Sequence, residues 1–334
     1  MLNRIAESFY WIGRYMERVD FTARLLDINY HSQHVLLENE HNLEYFKNRV
    51  IGSLGDHPFT EQLSAIHYND FLHYIIFEDT YKNSILSCLG KARHNIRIVR
   101  GQIPEKIWDS INSFYLWLKE QNVQKGRKQL PYSFFEKILQ HVSIFNGITD
   151  LTMLRGNEWN FIQAGRYMER AGNTVRTLQL SFEQNKVETE LGQKRDEFNQ
   201  FASILESVDG LEAFRRYHAD EIKADHLIEF LVLNKAFPSS LSFSFTNLEM
   251  FLKIIQNDFY TVRYTKLNRL MTDMKVNLSA NLHIEAKSSS DYPSLLKGLQ
   301  GMVNEIGAEI EYCFFYGGGE EFSESSLQKK VAVL

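Results

Sequence analysis

The sequence predicts an all-α fold, a helical bundle made of two tandem, structurally similar halves packed around paired Glu-Arg helices. Three observations carry that expectation. Residues 9–24 and 161–176 align without a gap at an offset of 152, and Gly-Arg-Tyr-Met-Glu-Arg is identical at 13–18 and 165–170. Phe9, Thr22 and Arg24 also recur as Phe161, Thr174 and Arg176. Apolar residues return every three to four positions along most of the chain, the period of an amphipathic helix. Only 5 prolines interrupt 334 residues, which suits long helices with short connections.

The elements follow in order. Around 9–26, Ile12, Tyr15, Met16, Val19, Ala23 and Leu26 share one arc at 100° per residue, opposite Arg14, Glu17, Arg18 and Arg24. Residues 71–89 read as helix, short turn and helix, the second capped near Ser84, because a serine oxygen accepts from the free N–H groups of a first turn. Residues 106–119 place Ile107, Ile111, Phe114, Tyr115 and Leu118 at helical spacing. Residues 120–131, polar and closed by Pro131, read as a surface loop. The second charged helix follows, with Ala164, Tyr167, Met168, Ala171, Val175 and Leu178 opposite Arg166, Glu169, Arg170 and Arg176. Residues 227–245 repeat the pattern of 71–89, with a cap near Ser240. Residues 287–293 read as a loop and 295–315 as a last helix. Two matched blocks in one order imply a duplicated unit: one domain over 1–316, with half-repeats of about 1–150 and 151–316. Residues 317–334, which open on Gly317-Gly318-Gly319, read as a flexible C-terminal tail.

Bulk properties exclude several functions. A formal net charge of -5 gives no basic footprint for nucleic acid. No apolar run reaches the ~20 residues of a membrane-spanning helix; the run 227–233 is broken by Glu229. Cys88 and Cys313 have neither metal nor redox spacing, and two cysteines make no disulfide framework. With no signal-peptide core after the opening residues, the expected location is the cytoplasm. The 11 histidines show no His-Glu-x-x-His spacing, so no metal is assigned. No Walker motif, dinucleotide glycine pattern, Gly-x-Ser-x-Gly elbow or Cys/His nucleophile signature is present, and no cofactor is expected.

The duplicated charges leave three readings open. They could line a solvated face. They could pair across the two copies, Glu17 near Arg170 and Glu169 near Arg18, in a buried structural network. Or they could form an anion-binding cleft, since guanidinium forks match carboxylates and phosphates. Tyr10, Phe21 and Leu25 lie among the charges of the first copy and argue for partial burial. The candidate anion- or substrate-binding residues are Arg14, Arg18, Arg24, Arg166, Arg170 and Arg176. Glu17 and Glu169 are the candidate general bases. Arg93, Arg97 and Arg100 share a helical face without a counterpart in the second half, where Glu249, Lys253 and Gln256 stand. They form either a solvated basic face or, through Arg93, Arg97 and Asn95, part of the same anion site. Trp159 reads as core.

The segment 2–18, LNRIAESFYWIGRYMER, resembles the start of the bacterial alpha-E family, a helical domain with a Glu-Arg motif. Ala92-Arg93-His94-Asn95-Ile96-Arg97 is similar to the family's Ala-Arg-x-Asn-x-Arg segment, with His94 where an acidic residue is usual. Phe230-Leu231-Val232-Leu233 and Phe237-Pro238-Ser239-Ser240 match its later segment, so the resemblance runs from residue 1 to about 316. It implies a place beside an ATP-grasp-type ligase and a transglutaminase-like protein. The implied role is a helical accessory of a peptide ligase or modification system, binding the ligase or an anionic ligand, an acidic peptide or a phosphate. The alternative is an enzyme acting on a peptide or amide, with Glu17 or Glu169 as general base.

Overall fold

The computed structural model describes residues 3–31, 40–55, 66–125, 130–190, 197–218, 222–257, 262–280 and 291–316. Within these the chain is an all-α bundle without strands. The first half of the chain contributes α1 (Asn3–His31), α2 (Glu40–Ser53), α3 (Tyr68–Phe77), α4 (Ile85–Ile98), α5 (Glu105–Lys125) and α6 (Phe134–Thr152). The second contributes α7 (Asn157–Glu190), α8 (Glu197–Ser207), α9 (Leu211–His218), α10 (Ala224–Ile228), α11 (Leu241–Asn257), α12 (Thr265–Ala280) and α13 (Tyr292–Glu311). The backbone widens to a π turn after α10 at Glu229–Leu233 and after α13 at Tyr312–Tyr316.

The serine caps lie where the sequence places them. Ser84 Oγ accepts from Ser87 N at 3.1 Å to open α4, and Ser240 Oγ accepts from Phe243 N at 3.0 Å to open α11. Each satisfies an N–H that a helix start would leave bare. Two expected loops need correction. Residues 120–125 continue α5, because Leu118 and the apolar stripe before it hold the helix against the core long enough for a polar turn to propagate. Pro293 does not close a loop but sits in the first turn of α13, where its missing N–H costs nothing. The expected tail 317–334, and 287–290 of the expected loop, lie outside the described residues.

α1 and α7 cross at the centre of the bundle, and α4, α11 and α13 pack around them. Their close approach is set by Gly13 and Gly165. A Cβ on Gly13 would lie 2.0 Å from Ile162 O, and one on Gly165 would lie 2.0 Å from Tyr10 O. Tyr10 and Ile162 are themselves 152 apart, so the two backbones touch reciprocally. Both helices also bury the glutamate of their charged arc and leave the arginines half-buried. Tyr10 and Leu25 are fully buried and Phe21 nearly so. The π turn after α13 caps one end of the crossing, with Phe315 against Tyr10 at 5.3 Å and Phe314 edge-on to Phe161 at 5.4 Å between ring centroids. Buried apolar side chains from α1 through to that π turn form one core.

Candidate functional site

Glycine contact at the crossing brings the flanking turns within reach of each other, and the charges there interlock. Glu169 on α7 takes a two-pronged bond from Arg18 of α1, Nε to Oε1 at 2.7 Å and Nη2 to Oε2 at 3.1 Å. Arg14 Nε adds a third bond to Oε2 at 2.9 Å. Glu17 on α1 repeats the arrangement atom for atom. Arg170 Nε donates to Oε1 at 2.5 Å, Arg170 Nη2 to Oε2 at 2.8 Å, and Arg166 Nε to Oε2 at 3.3 Å. Glu169 is 1% exposed and Glu17 7%. Of the three readings, the solvated face is therefore excluded, and the cross-copy pairing is what the fold adopts. Burial by itself would raise both carboxyl pKa values, but the charges and hydrogen bonds of Arg18 and Arg14 on Glu169, and of Arg170 and Arg166 on Glu17, override it and hold both below the ordinary range.

The other predicted arginines end elsewhere. Arg24 does not reach Glu17; it binds Asp20 at 2.9 Å and Asp209 at 2.9 Å. Arg176 approaches Glu169 only to 4.0 Å and spends its closer bonds on Asn173 Oδ1 at 2.6 Å and Ser53 O at 3.0 Å. Arg93 donates to Asn112 Oδ1 at 2.8 Å and lies over the Trp108 and Tyr115 rings, so α5 holds it. Arg97 is exposed beside His94. Arg100 falls beyond the end of α4 in a short 3-10 turn, over Trp108 rather than on the helical face. None of these three bonds to Glu17 or Glu169. Asn95 lines a separate recess with Arg4, Trp11 and Tyr316. Trp159 is only half-buried, packed edge-on to Phe251 with Arg155 above it.

Each Glu-Arg cluster has a cleft beside it. The one at Glu17 holds about 280 Å³ and is lined by Asp20, Arg24, Arg166, Arg170 and Asn173, with walls from the end of α8 and the turn before α11. The one at Glu169 holds about 230 Å³, is lined by Arg14, Gly172 and Arg176, and is walled by α13. Asp209 stands at the rim of the first because α8 ends in a left-handed turn. Its φ is 56°, and Gly210 N reaches back to Leu205 O at 2.7 Å. Sequence reasoning missed Asp20, Asn173, Asp209 and Glu311. For Asp20 and Asn173 a signal was present: they are departures from identity inside the repeat, Asp20 aligning with Gly172 and Asn173 with Phe21.

A family described as a predicted alpha-helical domain with a conserved ER motif matches residues 1–315. The chain belongs to the Alpha-E family. Glu17-Arg18 and Glu169-Arg170 are the Glu-Arg pairs of this Alpha-E chain, and the crossing gives such a pair a physical purpose, because each glutamate neutralises the arginines of the opposite helix. Neither a curated protein nor a solved structure matches the Alpha-E chain. Among its described residues no group of three His, Cys, Asp or Glu side chains is placed to hold a metal ion, and no helix is long and apolar enough to cross a membrane.

Proposed function

We propose that this Alpha-E protein is a non-catalytic, cytoplasmic helical accessory of a peptide ligase or modification system, binding an anionic ligand in the cleft beside Glu17. In this reading residues 1–316 form one domain of two half-repeats, and the Glu-Arg centre is its structural clamp. The clamp also holds guanidinium groups at the floor of the cleft. The observation that carries the reading is Arg166. It gives one N–H to Glu17 at 3.3 Å and no other bond among the described residues, while its side chain lines the cleft. A guanidinium with unspent donors in a recess is a site for a carboxylate or phosphate. The ATP-grasp-type ligase and transglutaminase-like protein enter as partners through the family resemblance, with the ligand an acidic peptide or a phosphate group.

General-base action by Glu17 or Glu169 is not favoured by any feature of the site. A base needs a free lone pair and a pKa near working pH, whereas both glutamates are enclosed by guanidinium groups that hold them ionised. The test is a thermal-shift titration with a short polyglutamate peptide and with inorganic phosphate. A rise in midpoint with either ligand, removed by Arg166→Ala, is the expected result. A midpoint indifferent to both anions overturns the reading. Co-purification with the ligase, and ligase activity measured with and without this chain, tests the partnership separately.

A further inference from the structure

The two clefts beside the Glu-Arg centre are counterparts, and in one of them a carboxylate of the chain already meets the arginine. Arg14 and Arg166 occupy equivalent positions, each giving its Nε to the glutamate across the crossing. Arg14 goes one bond further. Its Nη1 donates to Glu311 Oε1 at 3.4 Å, a carboxylate that α13 carries into the cleft at Gly172 and Arg176. Arg166 has no such partner, since the wall of its own cleft is the end of α8 and the turn before α11. Two turns along α7 from Arg166, in the lining of the same cleft, a second donor is bare. Asn173 is 3% exposed and its Nδ2 has no hydrogen-bond partner. Its orientation is fixed, because Arg176 Nη2 donates to its Oδ1 at 2.6 Å. A buried amide N–H₂ without an acceptor is destabilising, and such donors normally meet one.

We infer that the cleft beside Glu17 binds a carboxylate, held by the outer nitrogens of Arg166 with Nδ2 of Asn173, much as the Glu311 carboxylate answers an outer nitrogen of Arg14. The inference rests on the anion-binding reading above and narrows it from anions in general to carboxylates. Charge supports the narrowing. Glu17, Asp20 and Asp209 all line this cleft, beside Arg24, Arg166 and Arg170. A singly charged planar group is tolerated there. A phosphate ester, with about −1.5 to −2 charges at neutral pH, meets three carboxylates at close quarters. The carboxylate has two sources in a peptide, the free C-terminus and an Asp or Glu side chain, and the chemistry on the protein side is the same for both.

The experiment follows the arginine Nε–H resonances of the full chain by NMR during titration. The probes are acetyl-trialanine with a free C-terminus, the same peptide amidated, acetyl-Ala-Glu-Ala-amide, and inorganic phosphate. The free-terminus or glutamate peptide is expected to shift the Arg166 resonance, the amidated trialanine is not, and the two responding arms identify the source. Asn173→Asp, which keeps the acceptor for Arg176 but opposes an incoming carboxylate, is expected to weaken binding at least tenfold. Glu311→Ala is expected to free the outer nitrogen of Arg14, so that the carboxylate probe now shifts Arg14 as well, at least tenfold more weakly because Phe21 stands at the position equivalent to Asn173. Phosphate shifting Arg166 while the carboxylate peptides do not would overturn this inference and leave the anion-binding reading standing. No shift with any probe would sink both. In Glu311→Ala, an Arg14 resonance that ignores a probe to which Arg166 responds would refute the equivalence on which the inference is built.

Discussion

Glu17 and Glu169 each carry the charge balance for two arginines, and substitution at these two positions has a definite cost. Replacing one member of a buried ion pair strands its partner and destabilises by about 3–5 kcal/mol. The guanidinium groups here keep 14–23% exposure, so a value near the lower end, about 3 kcal/mol, is expected for Glu169→Gln. Chemical denaturation measures it, and a midpoint equal to that of the wild-type chain would refute the role. The pH dependence follows from the same groups. Both glutamates titrate lower in the folded chain than in the unfolded one, where a carboxylate sits at about 4.3. Their contribution is therefore complete above that range and is lost as pH falls through the folded values. Asp20 and Glu311 act in the opposite sense: burial raises both despite Arg24 and Arg14, so their ionised forms weaken the fold, and that cost is relieved as pH falls. Stability is expected to decline below about pH 5, and the Glu17→Gln/Glu169→Gln double variant is expected to decline less steeply over the same range.

At the scale of elements, the crossing of α1 and α7 depends on two missing side chains. Alanine normally favours a helix over glycine by about 1 kcal/mol. At Gly13 and Gly165 the sign must reverse, because the added carbon would overlap a backbone carbonyl of the other helix, which cannot rotate away. Gly13→Ala and Gly165→Ala are each expected to cost about 3 kcal/mol or more. Gly298→Ala in α13, where a Cβ meets nothing within 4 Å, is expected to stabilise by about 0.5–1 kcal/mol. Parallel urea titrations of the three variants check the contrast. If all three stabilise alike, the helices do not touch at these glycines. The termini of neighbouring elements add the asymmetry between the clefts. α8 stops in a left-handed turn that presents Asp209, whereas α13 runs on past Gly307 to deliver Glu311.

For the whole molecule, the centre joins an N-terminal helix to one that begins near the middle of the chain, and a single core surrounds both. Neither helix can satisfy the charges of its Glu-Arg segment, since each of the two glutamates answers to the arginines of the other helix. Unfolding is therefore expected as one cooperative transition, with far-UV dichroism, tryptophan fluorescence and calorimetry agreeing on its midpoint. Two separated transitions would mean that the halves keep independent cores. The same dependence makes the clefts properties of the assembled bundle: their walls come from the end of α8, the turn before α11, and α13, which approach the crossing only when the chain is folded.

Much of this was legible beforehand. Period and repetition alone specify the helices and the caps at Ser84 and Ser240, because helical spacing and cap chemistry are local properties; they offer the pairing of Glu17 with Arg170 and Glu169 with Arg18 as one of three readings, and the packing of α1 on α7 selects it. The ends of α5 and α13 were misplaced, since polar composition cannot say where tertiary packing will extend a helix. Arg93 and Arg97 carried the same residue type as the centre but were taken by α5 and solvent. Whether Arg166 stands open while Arg14 is answered by Glu311 was decided by the tertiary structure alone. Glu311 lies 297 residues from Arg14 along the chain, and no sequence period links positions that meet only when separate helices pack.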